Sequence, residues 1–199
     1  GAAAVTGGQV VLTTASGTTT SSPNAPTATV SLPTTIDPWR GVDIIVRLVG
    51  FTGTLGTTAN RMWLSIGNVA NAANASWGSV GDWSVALYSQ PDGAVLLGDA
   101  ANGSAFANRS TSAAGALLLD GDDWVRLIFR SGGYEALSGR GSSLPTTWTR
   151  RGASCLLAAP ASSAAFSAPA YVTLAGYRNG SQAQAHVVTF DSLSITGLL

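Results

Sequence analysis

The chain has 199 residues, which is enough for one sizeable hydrophobic core, and no charged or low-complexity linker divides it. Ten arginines balance ten acidic residues without a single lysine, so the net charge is zero, which argues against a nucleic-acid partner and against electrostatic attachment to membranes. No apolar run approaches the roughly 20 residues of a membrane span. Only 10% of the residues are charged, and the abundance of small residues favours an all-β protein with a Ser-, Thr- and Asn-rich surface.

The chain reads as a series of short strands separated by turns at the 8–12-residue spacing that is typical of a β-sandwich. Residues 42–49 give the clearest pattern in the first half, because Val42, Ile44, Val46 and Leu48 alternate with a more polar set. Convincing helical periodicity with capping residues is absent from the sequence. The predicted strands, in chain order, are 9–13, 27–32, 42–49, 61–67, a hairpin about the turn 90–93 that returns at 94–97, 116–119, 124–130, 134–137, 153–159, 171–177 and 186–195.

The last two strands are joined by a turn at Arg178-Asn179-Gly180-Ser181, in which Asn and Gly tolerate positive φ. In the final strand, Val187, Leu193 and Ile195 share one parity, whereas Phe190 has the other. A regular strand does not change face, so the sequence predicts a β-bulge near 191–192.

The segment YVTLAGY, followed by the last strand VTFDSLSI and preceded by the strand DWVRL at 123–127, resembles the end of concanavalin A-like jelly-roll domains of bacteria and bacteriophages. The resemblance covers roughly residues 36–195. It implies a single antiparallel β-sandwich of the jelly-roll type, and it implies a lectin-like or glycosidase-like class of function. We therefore predict one domain, with 36–199 as the sandwich and 1–35 as its N-terminal strand and edge segment.

The acidic residues argue against catalysis. Glycosidases use two carboxylates about 5–10 Å apart. In hydrolases of the superfamily that this chain resembles, the catalytic strand carries two glutamates on one face. This chain has one glutamate, Glu135, and no acidic residue lies two or four positions from it. A single histidine, His186, and a single cysteine, Cys155, exclude a His- or thiolate-based metal site, and both read as ordinary packed residues.

Structural calcium is the one cofactor that the sequence leaves open, because calcium is bound by oxygen ligands alone. Asp120 and Asp122 lie in one turn, and Asp191 occupies a place where some jelly-roll modules that this chain resembles use an Asp for calcium. The alternative is that Asp serves the Asp-Gly turn and that Asp191 bonds local backbone at the bulge.

Glycan binding is the best-supported function. Carbohydrate sites stack an aromatic ring on the sugar and add Asn, Asp or Arg hydrogen bonds, and two tryptophans lie in long polar loops. The alternative is that each tryptophan folds back over a sheet edge. The candidate ligand-binding residues are Trp77, Asn74, Asp82, Tyr134, Trp148 and Arg150.

We accordingly predict a non-catalytic module displayed on a virion, as a phage tail or capsid appendage, or outside a cell, and binding a glycan or cell-surface polysaccharide. Two alternatives stay open. The chain could be a purely structural virion subunit that buries outward apolar residues such as Ile45, Val49 and Ile128 against neighbouring copies. It could also be an accessory domain of a secreted glycosidase.

Overall fold

The structure is a computed structural model and describes residues 2–14, 26–52, 60–68, 83–90, 92–101, 106–157, 169–178 and 186–199. Within these ranges all regular structure is β. Across them, no helix is long and apolar enough to cross a membrane. The strands are β1 (Ala2–Thr6), β2 (Gln9–Thr14), β3 (Thr27–Ser31), β4 (Val42–Thr52), β5 (Asn60–Gly67), β6 (Trp83–Ser89), β7 (Val95–Ala101), β8 (Ala107–Thr111), β9 (Asp123–Arg130), β10 (Gly133–Arg140), β11 (Thr149–Arg150), β12 (Cys155–Leu156), β13 (Tyr171–Arg178) and β14 (His186–Gly197).

These strands form two antiparallel sheets that pack face to face. The large sheet has the order β1-β2-β14-β4-β9-β10-β11, with β12 also pairing with β10, and the small sheet has the order β3-β13-β5-β6-β7-β8. The predicted all-β, antiparallel sandwich is confirmed. The N-terminal strands contribute to both sheets, because β2 pairs with β14 and β3 pairs with β13.

The core lies between the sheets and follows the predicted alternation. The first half of β4 buries Val42, Ile44, Val46 and Leu48 completely, as its sequence predicts. The two sheets meet most directly where Trp83 of the small sheet stacks on Phe129 of the large sheet, with ring centroids 5.3 Å apart. Each fully buried side chain of this kind stabilises the fold by about 1.5–3 kcal/mol.

The predicted bulge in β14 is confirmed. The register between β14 and β4 shifts between Asp191 and Ser194, and Ser192 has a φ of 54°. After the shift Ile195 lies opposite Ile44 and faces the core, although its parity is opposite to that of Phe190. A second shift between Thr189 and Phe190 further increases the irregularity of this pairing.

Four segments differ from their predicted structure. The sequence predicts no strand in residues 99–114, but β7 continues to Ala101 and β8 lies within the segment. Residues 116–119 are not a strand, because the Leu117 N–H donates to the carbonyl of Gly93 and ties the segment to a turn instead of to a strand. In 153–159, β12 spans Cys155–Leu156, and 158–159 lie outside the described residues. The strand β1 escaped prediction because its five residues are all exposed and show no burial pattern.

Candidate functional site

The outer face of the large sheet carries a group of charged side chains on β4, β9, β10 and β11. In β9 the side chains of Val125, Leu127 and Phe129 face the core, so Arg126 and Ile128 project outward from the same strand. The register sets Asp43 of β4 opposite Ile128, and Ile128 opposite Glu135 of β10. Tertiary pairing thus brings together residues that are distant in sequence on one surface.

Arg126 is held on this surface by a bidentate ion pair. Its Nε donates to Asp43 Oδ1 at 2.8 Å, and its terminal NH2 group donates to Asp43 Oδ2 at 2.5 Å. The hydrogen bonds that Arg126 donates to Asp43 raise the pKa of the Arg126 guanidinium, against the opposing effect of burial. The planar fork of arginine matches a carboxylate in this geometry, so the guanidinium has a fixed orientation.

The fixed guanidinium supports Trp148. The Cζ atom of Arg126 lies 5.5 Å from the centroid of the Trp148 ring, within the distance of a cation–π contact, and the indole remains partly exposed. Trp148 is therefore an aromatic side chain at the surface that is oriented by a charge network beneath it.

The connection between β10 and β11 delivers Trp148 to this position. At its start, the Trp124 Nε1–H donates to the carbonyl of Gly141 at 2.8 Å. Along its course Pro145 packs on Gly139 so closely that a Cβ atom at Gly139 would lie 2.6 Å from Pro145 Cγ, and a larger residue there would displace the connection. At its end, the two residues of β11 pair with β10. Both ends of the segment are therefore fixed to the sheet below.

A pocket of about 520 Å³ lies next to Arg150 on the same surface. Its position follows from two short strands that pair with β10 at different places: β11 with Leu137 and Ser138, and β12 with Gly133 and Tyr134. The lining residues are Ile128, Arg130, Gly133, Tyr134, Glu135, Arg150, Ser154, Cys155, Leu156 and Leu198. The pocket thus combines charged groups with an apolar wall.

Arg150 and Glu135 form the charged pair of this pocket. The terminal nitrogen of Arg150 lies 2.8 Å from Glu135 Oε2, although the approach lacks the angles of a hydrogen bond. The Arg150 side chain is 60% exposed, whereas that of Glu135 is 25% exposed. Glu135 Oε2 is buried beneath this contact, whereas the larger part of the Arg150 guanidinium side chain faces solvent and is accessible to a ligand.

Tyr134, predicted as a sugar contact, lies with its ring in the core and is only 2% exposed. Its hydroxyl donates to Asp99 Oδ2 at 2.5 Å, and the same carboxylate accepts hydrogen bonds from Arg109. Burial, followed by the hydrogen bond to Asp99, raises the pKa of the Tyr134 hydroxyl, which therefore stays protonated. Tyr134 borders the pocket from below, and its polar group is engaged inside the sandwich.

The predicted calcium ligands have arginine partners instead of a common centre. Asp120 pairs with Arg140 at 2.8 Å, whereas Asp122 and Asp191 lie 3.5 and 4.0 Å from the two terminal nitrogens of Arg47. In the part of the chain that the structure describes, no group of three or more His, Cys, Asp or Glu residues is placed to hold a metal ion.

The remaining predicted residues, Trp77, Asn74 and Asp82, lie outside the described residues. His186, which the sequence predicts to be an ordinary packed residue, is completely buried and contacts the edge of Phe51, with ring centroids 4.9 Å apart.

Sequence reasoning missed Asp43 and Arg126 as members of the site. Their spacing along the chain is 83 residues, so only the pairing of β4 with β9 brings them together. The sequence did carry one relevant signal, since it placed Arg126 on the outward side of its strand.

The outer face of the small sheet carries an aromatic cluster among its described side chains. Trp63 stacks on Tyr88 with ring centroids 4.9 Å apart, and Phe106 packs against both rings. Trp63 and Ser65 alternate along β5 with the core residues Met62, Leu64 and Ile66, and Trp63 belongs to this second cluster; both are nevertheless buried. Among the described residues, neither Trp63 Nε1 nor Ser65 Oγ has a hydrogen-bond partner.

No protein-family model and no curated protein sequence matches the chain. Solved structures do match its fold. A functionally unknown protein from Saccharomyces cerevisiae has a TM-score of 0.55 and 14% identity, over 99% of this chain and 92% of that one. Family 7 alginate lyase A1-II' in complex with its product has a TM-score of 0.55 and 12% identity, over 98% and 82% of the two chains.

The exoplasmic/lumenal domain of VIP36, in its Ca2+- and Man3GlcNAc-bound form, has a TM-score of 0.58 and 10% identity, over 99% of this chain and 83% of that one. The fold of the present chain is therefore the concanavalin A-like jelly roll, as the resemblance of its last strands implied.

Proposed function

We propose that this chain is a non-catalytic glycan-binding module and that it binds sugar on the outer face of the large sheet, at Trp148 and the adjacent pocket. The observation that carries the proposal is the partly exposed Trp148 indole supported by the Arg126–Asp43 ion pair. A flat, preoriented ring beside polar donors is the arrangement that sugar rings stack on, and fixing it in advance lowers the entropic cost of binding.

Two proteins of the same fold support a carbohydrate ligand without defining it. The VIP36 domain was solved with Man3GlcNAc, and the alginate lyase was solved with its product. The low charge and the Ser-, Thr- and Asn-rich composition suit a module that is displayed outside a cell or on a virion, where we place it.

The test is a glycan-array screen of the purified chain, with and without calcium, repeated on Trp148→Ala and Trp148→Phe. We expect Trp148→Ala to abolish binding and Trp148→Phe to retain part of it, since phenylalanine keeps a flat ring. Leu144→Ala is the matched control, because Leu144 is an exposed apolar residue of the same connection. Loss of binding in all three variants, or in none, would contradict the site. Trp77→Ala tests the second predicted tryptophan in the same way.

A catalytic function is the second candidate, and one observation favours it. Asp43 and Glu135 lie in the same row of three adjacent strands, with Ile128 between them. Since adjacent strands are about 4.8 Å apart, their backbones are about 10 Å apart, at the upper limit for a glycosidase pair. Both oxygens of Asp43 accept hydrogen bonds from Arg126, so this carboxylate is not free to act on a substrate.

Turnover assays separate the two candidates. We expect glycans that bind the chain to be recovered intact after prolonged incubation. Release of reducing ends that Glu135→Gln eliminates would instead establish an enzyme.

The purely structural alternative depends on outward apolar residues. Ile45, Val49 and Ile128 are each already partly covered within the chain, which weakens that argument. We expect the chain to sediment as a monomer, and a stable oligomer would favour an assembly role.

A further inference from the structure

We infer that the pocket beside Trp148 selects a sugar that carries a carboxylate, as in a uronic acid residue. This inference rests on the proposed function, since it names the class of glycan that the same surface binds. It follows from the charges and the apolar wall of the pocket.

Two guanidinium groups line the pocket. Arg150 is largely exposed and reaches Glu135 without hydrogen-bond geometry, so most of its five N–H donors remain available. Arg130 is exposed at the end of β9, and in the described part of the chain it takes part in no ion pair. Guanidinium groups bind carboxylates through paired N–H donors, so these two side chains provide the donors that a sugar carboxylate needs.

Arg130 is placed by the packing of its aliphatic stem. Gly41 has no side chain there, and a Cβ atom at this position would lie 3.2 Å from Arg130 Cγ and 2.9 Å from Leu198 Cβ. The stem therefore passes over the backbone of Gly41 beside Leu198, and the charged head reaches the pocket.

The charge of the pocket matches one negative charge. Arg130, Arg150 and Glu135 are its charged lining residues, which leaves one net positive charge. Glu135 would repel a doubly charged group such as a phosphate, whereas a single carboxylate balances the pocket.

The apolar lining residues match the rest of a sugar ring. These residues are Ile128, Leu156 and Leu198, and the Leu156 side chain lies over Gly133, where a Cβ atom would be 3.8 Å from Leu156 Cδ2. The C–H face of a pyranose can pack on such a wall while its carboxylate points toward the arginines. The pocket volume of about 520 Å³ is within the range of ligand sites.

The test compares methyl β-D-glucuronide with methyl β-D-glucoside, which differ at C6 by the carboxylate. Both are titrated against the intact chain by ligand-observed NMR. We expect the glucuronide to bind about tenfold more tightly, as expected for hydrogen bonds to a charged group. Arg130→Gln and Arg150→Gln should each remove most of this preference, and the double variant should bind the two sugars equally.

Arg40→Gln is the matched control, since it removes the same charge from an exposed side chain close to the pocket but outside its lining. Equal affinity of the two sugars for the unmodified chain would overturn the carboxylate inference and leave the glycan-binding proposal standing. A preference that survives in the double variant would also overturn it, because the carboxylate would then bind elsewhere. If neither these sugars nor any glycan on the array binds, both the inference and the proposed function are overturned.

Discussion

On the outer face of the small sheet the described side chains form a buried apolar and aromatic cluster, whereas the outer face of the large sheet carries ion-paired arginines and carboxylates. On the small sheet every described residue of β6 and β7 is buried, including those that point away from the core. On the large sheet Arg126 and Glu135 stay partly exposed because charged partners hold them in place. The same alternating strands thus produce one face that stabilises the fold and one face that carries ordered polar groups at the surface.

The difference also explains why two tryptophans of one chain have different roles. Trp63 is 3% exposed and stacks between other rings, so its contribution is to packing. Trp148 lies on a charge and keeps part of its ring accessible. An aromatic ring stays both ordered and exposed when polar groups hold it, because apolar neighbours would also cover it. The Arg126–Asp43 ion pair holds Trp148 in this way.

We expect the greatest change in the free energy of unfolding, and the clearest difference between these two tryptophans, when each is replaced by alanine. Trp63→Ala should reduce the free energy of unfolding by about 3–5 kcal/mol, because it removes a large buried ring and leaves a cavity. Trp148→Ala should reduce it by about 1 kcal/mol or less, since the side chain is partly exposed. Urea denaturation of both variants measures the difference. Equal losses would break the distinction between the two faces.

The next effect concerns the support of Trp148. Asp43→Asn keeps the size of the side chain but removes the charge that orients Arg126, and we expect the free energy of unfolding to fall by about 2 kcal/mol. Sugar binding should weaken in parallel, because the guanidinium loses its fixed position beneath the indole. Asp92→Asn, at an exposed turn on the other sheet, is the control and should leave sugar binding unchanged. Unchanged binding in Asp43→Asn would show that the ring is oriented by other contacts.

A smaller effect is expected from pH at the edge of the charged face. The hydrogen bond from Arg140 lowers the pKa of the Asp120 carboxyl below its ordinary value of 3.8. A lowered folded-state pKa stabilises the chain above the unfolded value, and that stability is lost as the pH falls from about 4 through the folded pKa. Asp120→Asn should flatten this part of the pH–stability curve. In an Arg140→Gln background the same substitution should have no further effect, and additive losses would contradict the pairing.

The smallest effect is expected from calcium. Asp120, Asp122 and Asp191 already have arginine partners, so we expect neither added calcium nor EDTA to change the thermal midpoint. A midpoint that rises with calcium concentration would show that a metal replaces these ion pairs, because a ligand that binds the folded state stabilises it by mass action.

The fold class and much of the core follow from the sequence alone. Alternation in β4 and β9 specified which side chains are buried, and the conflict between Phe190 and Ile195 located a bulge, because a strand has a strict two-residue period. The sequence also proposes Trp148 and Arg150 as ligand-binding residues, and these two lie close together in the chain. It could not distinguish an apolar run that pairs with a turn, as at 116–119, from one that enters a sheet, since both have the same composition.

Which polar groups meet depends on how the strands pair and how the sheets pack. Asp43 forms an ion pair with Arg126 because β4 pairs with β9, and Asp99 accepts a hydrogen bond from the Tyr134 hydroxyl across the sandwich. Nothing in the local sequence specifies either contact. The physical reason is that burial depends on the residue and its immediate neighbours, whereas strand order and register depend on the whole chain. The core could therefore be predicted from the sequence, whereas the candidate site depends on the register between β4, β9 and β10.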